Sequence, residues 1–217
     1  MRTGRPGQDS SGLPLPIHNF DIDFHVAYER RRKMDKNLCT LIDTASKALE
    51  AEDRYLLGAV TANKQAFGDS TGGILRFNNE RYYQFVIARA LMSSFPFKTD
   101  LEVETHDLVF QHLERTTKWA VVEIKRWMSA TGESEIPGIR HDVDHKLKKA
   151  DAEHRMMLII SANPTGKTEK NLEFLSERLK SSVLPLADYP DRWYFSKFET
   201  VDTEGKGVEF WVAGIEI

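Results

Sequence analysis

Three charged residues interrupt two runs rich in β-branched and aromatic side chains. Asp107 lies in segment 105–113, and Glu123 and Lys125 lie in segment 118–126. Side chains two apart on a strand point to one face, so Glu123 and Lys125 share a side. Folding the two runs back on each other about Arg115 sets Asp107 directly opposite Glu123. Directly paired positions hold their Cβ atoms roughly 5 Å apart, where like charges repel. A cation between the carboxylates relieves that repulsion. Mg²⁺ suits the pair, since it takes a few carboxylate oxygens and keeps several waters. The arrangement depends on register, because a slip of one residue turns Asp107 to the opposite face from Glu123.

The pattern Asp-x15-Glu-x-Lys, with the apolar run Trp119 to Val122 before the acid and Ile124 inside the motif, resembles the PD-(D/E)XK nuclease superfamily. That superfamily includes many restriction and repair endonucleases. Where the family has Pro-Asp, this chain has His106-Asp107. The resemblance implies a restriction-endonuclease-like core and a Mg²⁺-dependent endonuclease, with Mn²⁺ as a substitute, hydrolysing phosphodiester bonds of double-stranded DNA. It implies that Asp107 and Glu123 bind metal and that Lys125 positions or activates the attacking water. The carbonyl of Ile124 would be a third ligand, since backbone oxygen suits a hard ion. Glu80 matches the acid that many members carry on the helix before the metal hairpin, where it would hold a second ion or bind through water. The dipole of its own helix also accounts for an acid in the first turn.

The elements that must position these residues can be read along the chain. Residues 1–16 are rich in Gly, Pro and Ser and are expected to form a disordered tail. One domain follows, with an N-terminal helical segment at 17–75 and a catalytic core at 76–217. Within the first, 22–66 reads as helical, with a basic cluster at 29–33 and the periodic series Leu38, Leu41, Ile42, Ala45 and Leu49. A second helix begins near Asn79 and turns Tyr83, Val86, Ile87, Ala90 and Leu91 inward. Strands are expected at 100–104, 105–113 and 118–126, then a loop to 138 and a helix at 139–153. A strand at 155–161, a helix at 169–180 and strands at 193–201 and 208–217 complete the chain. The whole is of the α/β (α+β) class, a mixed sheet of about four to six strands flanked by helices. The order helix, three strands, helix, strand over residues 76–163 is the core layout of the resembled nucleases.

Two other patterns compete for attention. Ser161 to Thr168 follows an apolar strand and ends in Gly-Lys-Thr, as a phosphate-binding loop would, with Lys167 and Thr168 serving phosphate and Mg²⁺. Ser161 stands in place of the first glycine, and about fifty residues remain for the parallel sheet such a loop is built on. His141 and His145 lie one helical turn apart, a spacing that can clamp a metal, but the neighbouring Glu of the zinc proteases is missing. A solvated helix face explains them. Lys146, Lys148 and Lys149 on the same helix are candidates for DNA phosphate contacts.

Composition sets the outer bounds. The 217 residues are 41% hydrophobic and 29% charged, with a net charge of −3 and a pI near 6.2. These values argue against indiscriminate polyanion binding yet allow a local basic surface. The single cysteine, Cys39, rules out an internal disulfide and a Cys-rich zinc site. No apolar run is long enough to span a membrane, so a soluble cytoplasmic protein is expected. A homodimer is one route to cutting both strands. The alternatives are a catalytically silent DNA-binding or scaffold module on the same fold and, behind it, a P-loop nucleotide-binding protein.

Overall fold

The computed structural model describes residues 34–68, 72–77, 79–127, 129, 134–164 and 193–217. The expected tail at 1–16, the basic cluster at 29–33 and the helix at 169–180 lie outside these residues. Six strands form one mixed sheet in the order β1-β2-β3-β4-β6-β5. They are β1 (Lys98–Val103), β2 (His106–Gln111), β3 (Lys118–Trp127), β4 (His154–Pro164), β5 (Trp193–Val201) and β6 (Gly207–Glu216). β1, β2 and β3 are antiparallel neighbours, β3 and β4 run parallel, and β6 lies antiparallel between β4 and β5. A parallel pair cannot be closed by a hairpin and needs a crossover. Helix α4 (Ile136–His145) lies in that crossover, and a 3-10 turn at Leu147–Lys149 follows it.

The other α-helices among the described residues are α1 (Lys36–Ala62), a single turn α2 (Lys64–Phe67) and α3 (Glu80–Ser94). α1 and α3 cover one face of the sheet. Leu38, Leu41, Ile42, Ala45 and Leu49 of α1 are all fully buried there. They pack with Tyr83, Val86, Ile87 and Leu91 of α3 on Leu108, Phe110, Val122, Ile124 and Leu158 of the sheet. α4 covers the other face, setting Ile139, Val143 and Leu147 against Val109, Val121, Met157, Ile159 and Trp211. β3 is thus buried on both sides, which is why its sequence is apolar almost without break.

Local signals fix the helix starts. Asp35 caps α1 by accepting from Asn37 N–H at 2.7 Å, and Asn79 caps α3 by accepting from Arg81 N–H at 2.9 Å. α4 begins at Ile136 rather than 139, because Pro137 in the first turn suits a helix whose leading N–H groups have no partner. It ends at His145 rather than 153, where the backbone tightens into the 3-10 turn. β4 runs on to Pro164, so Ser161–Pro164 pair as strand with Val208–Trp211 of β6 and do not open a loop. No helix among the described residues is long and apolar enough to cross a membrane.

Candidate active site

The register of the β2–β3 hairpin decides whether the two acids meet. Leu108 pairs with Val122 and Val109 with Val121, so one further step sets Asp107 beside Glu123. Glu123 falls on the α4 side of the sheet, the side of Val121, and Asp107 lies close enough for the two charges to interact.

Glu123 is completely buried, and both its oxygens are engaged. His106 Nδ1 lies 2.8 Å from Oε1, and Lys146 of α4 donates to Oε2 at 2.8 Å. The Lys146 ammonium also lies 3.3 Å from Asp142 Oδ1. The other oxygen of Asp142, Oδ2, forms an ion pair with Lys125 at 2.7 Å. Lys125 reaches on to Glu80 Oε1 at 3.7 Å, and Glu80 Oε2 accepts from the backbone N–H of Arg126 at 3.1 Å. A continuous line of alternating charge therefore runs from Glu123 through Lys146, Asp142 and Lys125 to Glu80, with His106 on the other oxygen of Glu123. Asp107 stands beside this line, its Oδ2 accepting from Ile124 N–H at 2.6 Å.

Four carboxylates, Glu80, Asp107, Glu123 and Asp142, face two ammonium groups, Lys125 and Lys146. Counted over these six groups, two negative charges are in excess. Asp107 carries the consequence: burial pushes its carboxyl up to about 6, and the Glu123 charge adds to that push. The Ile124 N–H and the two lysines oppose it. Burial pulls the Lys125 ammonium down, but Asp142, Glu80 and Asp107 outweigh it and leave its pKa raised. Lys146 is likewise raised by Glu123 and Asp142 against the pull of burial. Both lysines therefore remain cations and do not act as proton acceptors near neutral pH.

Asp107, Glu123, Lys125 and Glu80 thus come together, joined by Ile124 through its backbone N–H. Lys146 is drawn into the site instead of standing outside it. Lys148 pairs with Asp144 at 2.7 Å, and Lys149 is exposed with no ion pair among the described residues. His141 and His145 are exposed with ring centroids 4.7 Å apart, and neither pairs with an acid among the described residues. Two members of the site, Asp142 and His106, were not among the predicted residues. Asp142 had a signal, since Ile139, Asp142, Val143, Lys146 and Leu147 follow a 3.6-residue period and put an acid and a lysine inside an apolar stripe.

The residues able to hold a metal are Asp107 and Glu123. Among the described residues, no three His, Cys, Asp or Glu side chains already surround one point. Hard carboxylate donors and a deficit of two positive charges nonetheless fit one divalent ion of the Mg²⁺ type. Comparison with known family models, with curated proteins and with solved structures finds no match.

Proposed function

We propose that this chain is a metal-dependent deoxyribonuclease of the PD-(D/E)XK kind, cutting phosphodiester bonds of double-stranded DNA. The observation that carries the reading is the gathering of Asp107, Glu123 and Lys125 into one cluster of charge, two positive charges short of balance. The arrangement α3, β1, β2, β3, α4, β4, in that order along the chain, supports it as the layout the resemblance implies. Asp107 and Glu123 would hold Mg²⁺, or Mn²⁺ in its place. When bound, the ion supplies positive charge to the scissile phosphate and lowers the pKa of attacking water. Lys125 donates to a phosphate oxygen or the nucleophile and neutralises charge as it develops. Asp142 and Glu80 hold its ammonium from two sides, so its position is set before substrate arrives. A reducing cytoplasmic setting suits the buried thiol of Cys39.

One observation favours a second reading, a silent DNA-binding or scaffold module. Both oxygens of Glu123 are satisfied within the protein, so that carboxylate is held without a metal. The two readings separate in one assay. Purified protein is incubated with supercoiled plasmid, linear duplex and single-stranded DNA in Mg²⁺, Mn²⁺ or EDTA. Metal-dependent nicking that disappears in Asp107→Ala and Glu123→Ala supports the enzyme. Intact DNA across all substrates and metals, or cleavage that survives both substitutions, refutes it.

A further inference from the structure

A cavity of about 300 Å³ opens beside the acids, lined by Glu104, Thr105, His106, Lys118, His145, Lys146, Lys149, Ala150 and Asp151. Its volume is at the small end for ligand sites. Its only aliphatic lining residue is Ala150, so an apolar ligand has nothing to pack against. Three lysines line it from two stretches of chain: Lys118 opens β3, and Lys146 and Lys149 flank the 3-10 turn after α4. Lys118 is tied to Glu104, and Lys146 to Glu123 and Asp142. Lys149 has no ion pair among the described residues, which leaves a lysine uncompensated at the rim. The hairpin turn that forms another wall is strained, since Glu104 and Thr105 take φ of 54° and 81°. Such values are rare for side chains other than glycine, and rarest for a β-branched one.

We propose that this cavity is a phosphate-binding subsite that seats one phosphate of the DNA strand next to the bond being cut. The assignment of DNA as the source rests on the nuclease reading. His106 and Lys146 belong both to the cavity wall and to the shell of Glu123, so the seated phosphate lies next to the acids. A phosphate is the anion whose several oxygens can take donors from three directions. Lys149 supplies the uncommitted ammonium, Lys118 and Lys146 the flanking charge, and Thr105 a hydroxyl.

The test is binding without catalysis, using the full chain in EDTA. Fluorescence anisotropy follows short labelled strands that carry a 5′-phosphate, a 3′-phosphate or neither, with inorganic phosphate as competitor. Lys149→Ala is expected to weaken binding about tenfold, the loss of one charge-assisted contact at a partly exposed site. Lys118→Ala is expected to weaken it too, whereas Lys206→Ala, whose ammonium pairs with Glu204 away from the cavity, is expected to leave it unchanged within about twofold. Preference for one terminal phosphate identifies a strand end as the occupant. Equal affinity for all three strands, still lost in Lys149→Ala, identifies an internal diester. Affinity unchanged by both Lys149→Ala and Lys118→Ala, or not competed by inorganic phosphate, overturns the subsite. A protein that binds in this way but cuts nothing keeps the subsite and loses the nuclease. One that cuts with lysine-independent affinity does the reverse.

Discussion

Asp107→Asn is expected to make the metal-free protein more stable and the metal-bound protein unobtainable. The Asp107 carboxyl titrates near 6 in the fold against 3.8 in an open chain, because burial and Glu123 resist its charge. Each tenfold change in proton affinity is worth about 1.4 kcal/mol, so the charged form costs the fold at most about 3 kcal/mol. Solvent at the partly open carboxylate brings this to about 1–2 kcal/mol. Asparagine removes the charge and keeps a carbonyl to accept from Ile124 N–H. At pH 8 in EDTA, the variant should melt about 2–8 °C above the wild type for a chain of this length. The sign with pH follows from which state holds the proton. Between about 4 and 6 the unfolded carboxyl has lost its proton and the folded one retains it, so wild-type stability falls as pH rises through that window. The gap between the two proteins should therefore open across that window and stay level above about pH 7. Mg²⁺ at a hundred times its dissociation constant adds about 2.7 kcal/mol to the wild type. It should add nothing to the variant. Thermal denaturation by circular dichroism over this pH range, with and without Mg²⁺, is the assay. Equal melting in EDTA at pH 8, together with equal Mg²⁺ shifts, would refute the charge deficit on which the site reading stands.

Asp142→Asn should leave Lys125 and Lys146 poorly held, costing about 2–3 kcal/mol in urea unfolding and lowering DNA cleavage about a hundredfold. If cleavage persists undiminished, Asp142 does not position Lys125. Thr105→Gly relieves the φ of 81° and should stabilise the protein by about 1 kcal/mol, read as a higher urea midpoint. Far from the site, buried Asp53 joins Ile74 N–H at 2.8 Å to the Thr200 hydroxyl at 2.7 Å, tying the chain before α3 to β5. Thr200→Val should cost about 1–3 kcal/mol by leaving a buried oxygen without its donor. Gly73→Ala should cost at least as much, since its Cβ would stand 2.3 Å from Asp53 Oδ1 and 2.6 Å from Asp53 O. Chemical denaturation measures both, and midpoints equal to wild type would show that this tie does not hold the two elements.

Periodicity made the helices and strands legible. The 3.6-residue series of α1 and the β-rich runs of β2 and β3 depend on side chains near in sequence and are found in the fold, while in α3 Ala88 is buried in place of the half-buried Ala90. The closeness of Asp107 and Glu123 was legible for the same reason, because the hairpin register that ends at Leu108 and Val122 is a local property set by the turn and the apolar faces. A bulge between Phe110 and Gln111 takes up the shift near the turn and leaves the pairing beyond it unchanged.

The partners of these residues were not legible, because they come from elements whose approach depends on the whole sheet. α4 crosses over the parallel β3–β4 pair, and only that crossing carries Asp142 to Lys125 and Lys146 to Glu123. Lys146 and Lys148 looked alike as helix lysines, yet one was turned inward to a buried acid and the other outward to Asp144. The nearness of the two acids followed from the pattern of a single hairpin. Which cations answer them depended on how α4 packs over the sheet, since a buried charge takes whatever counter-charge packing brings within reach.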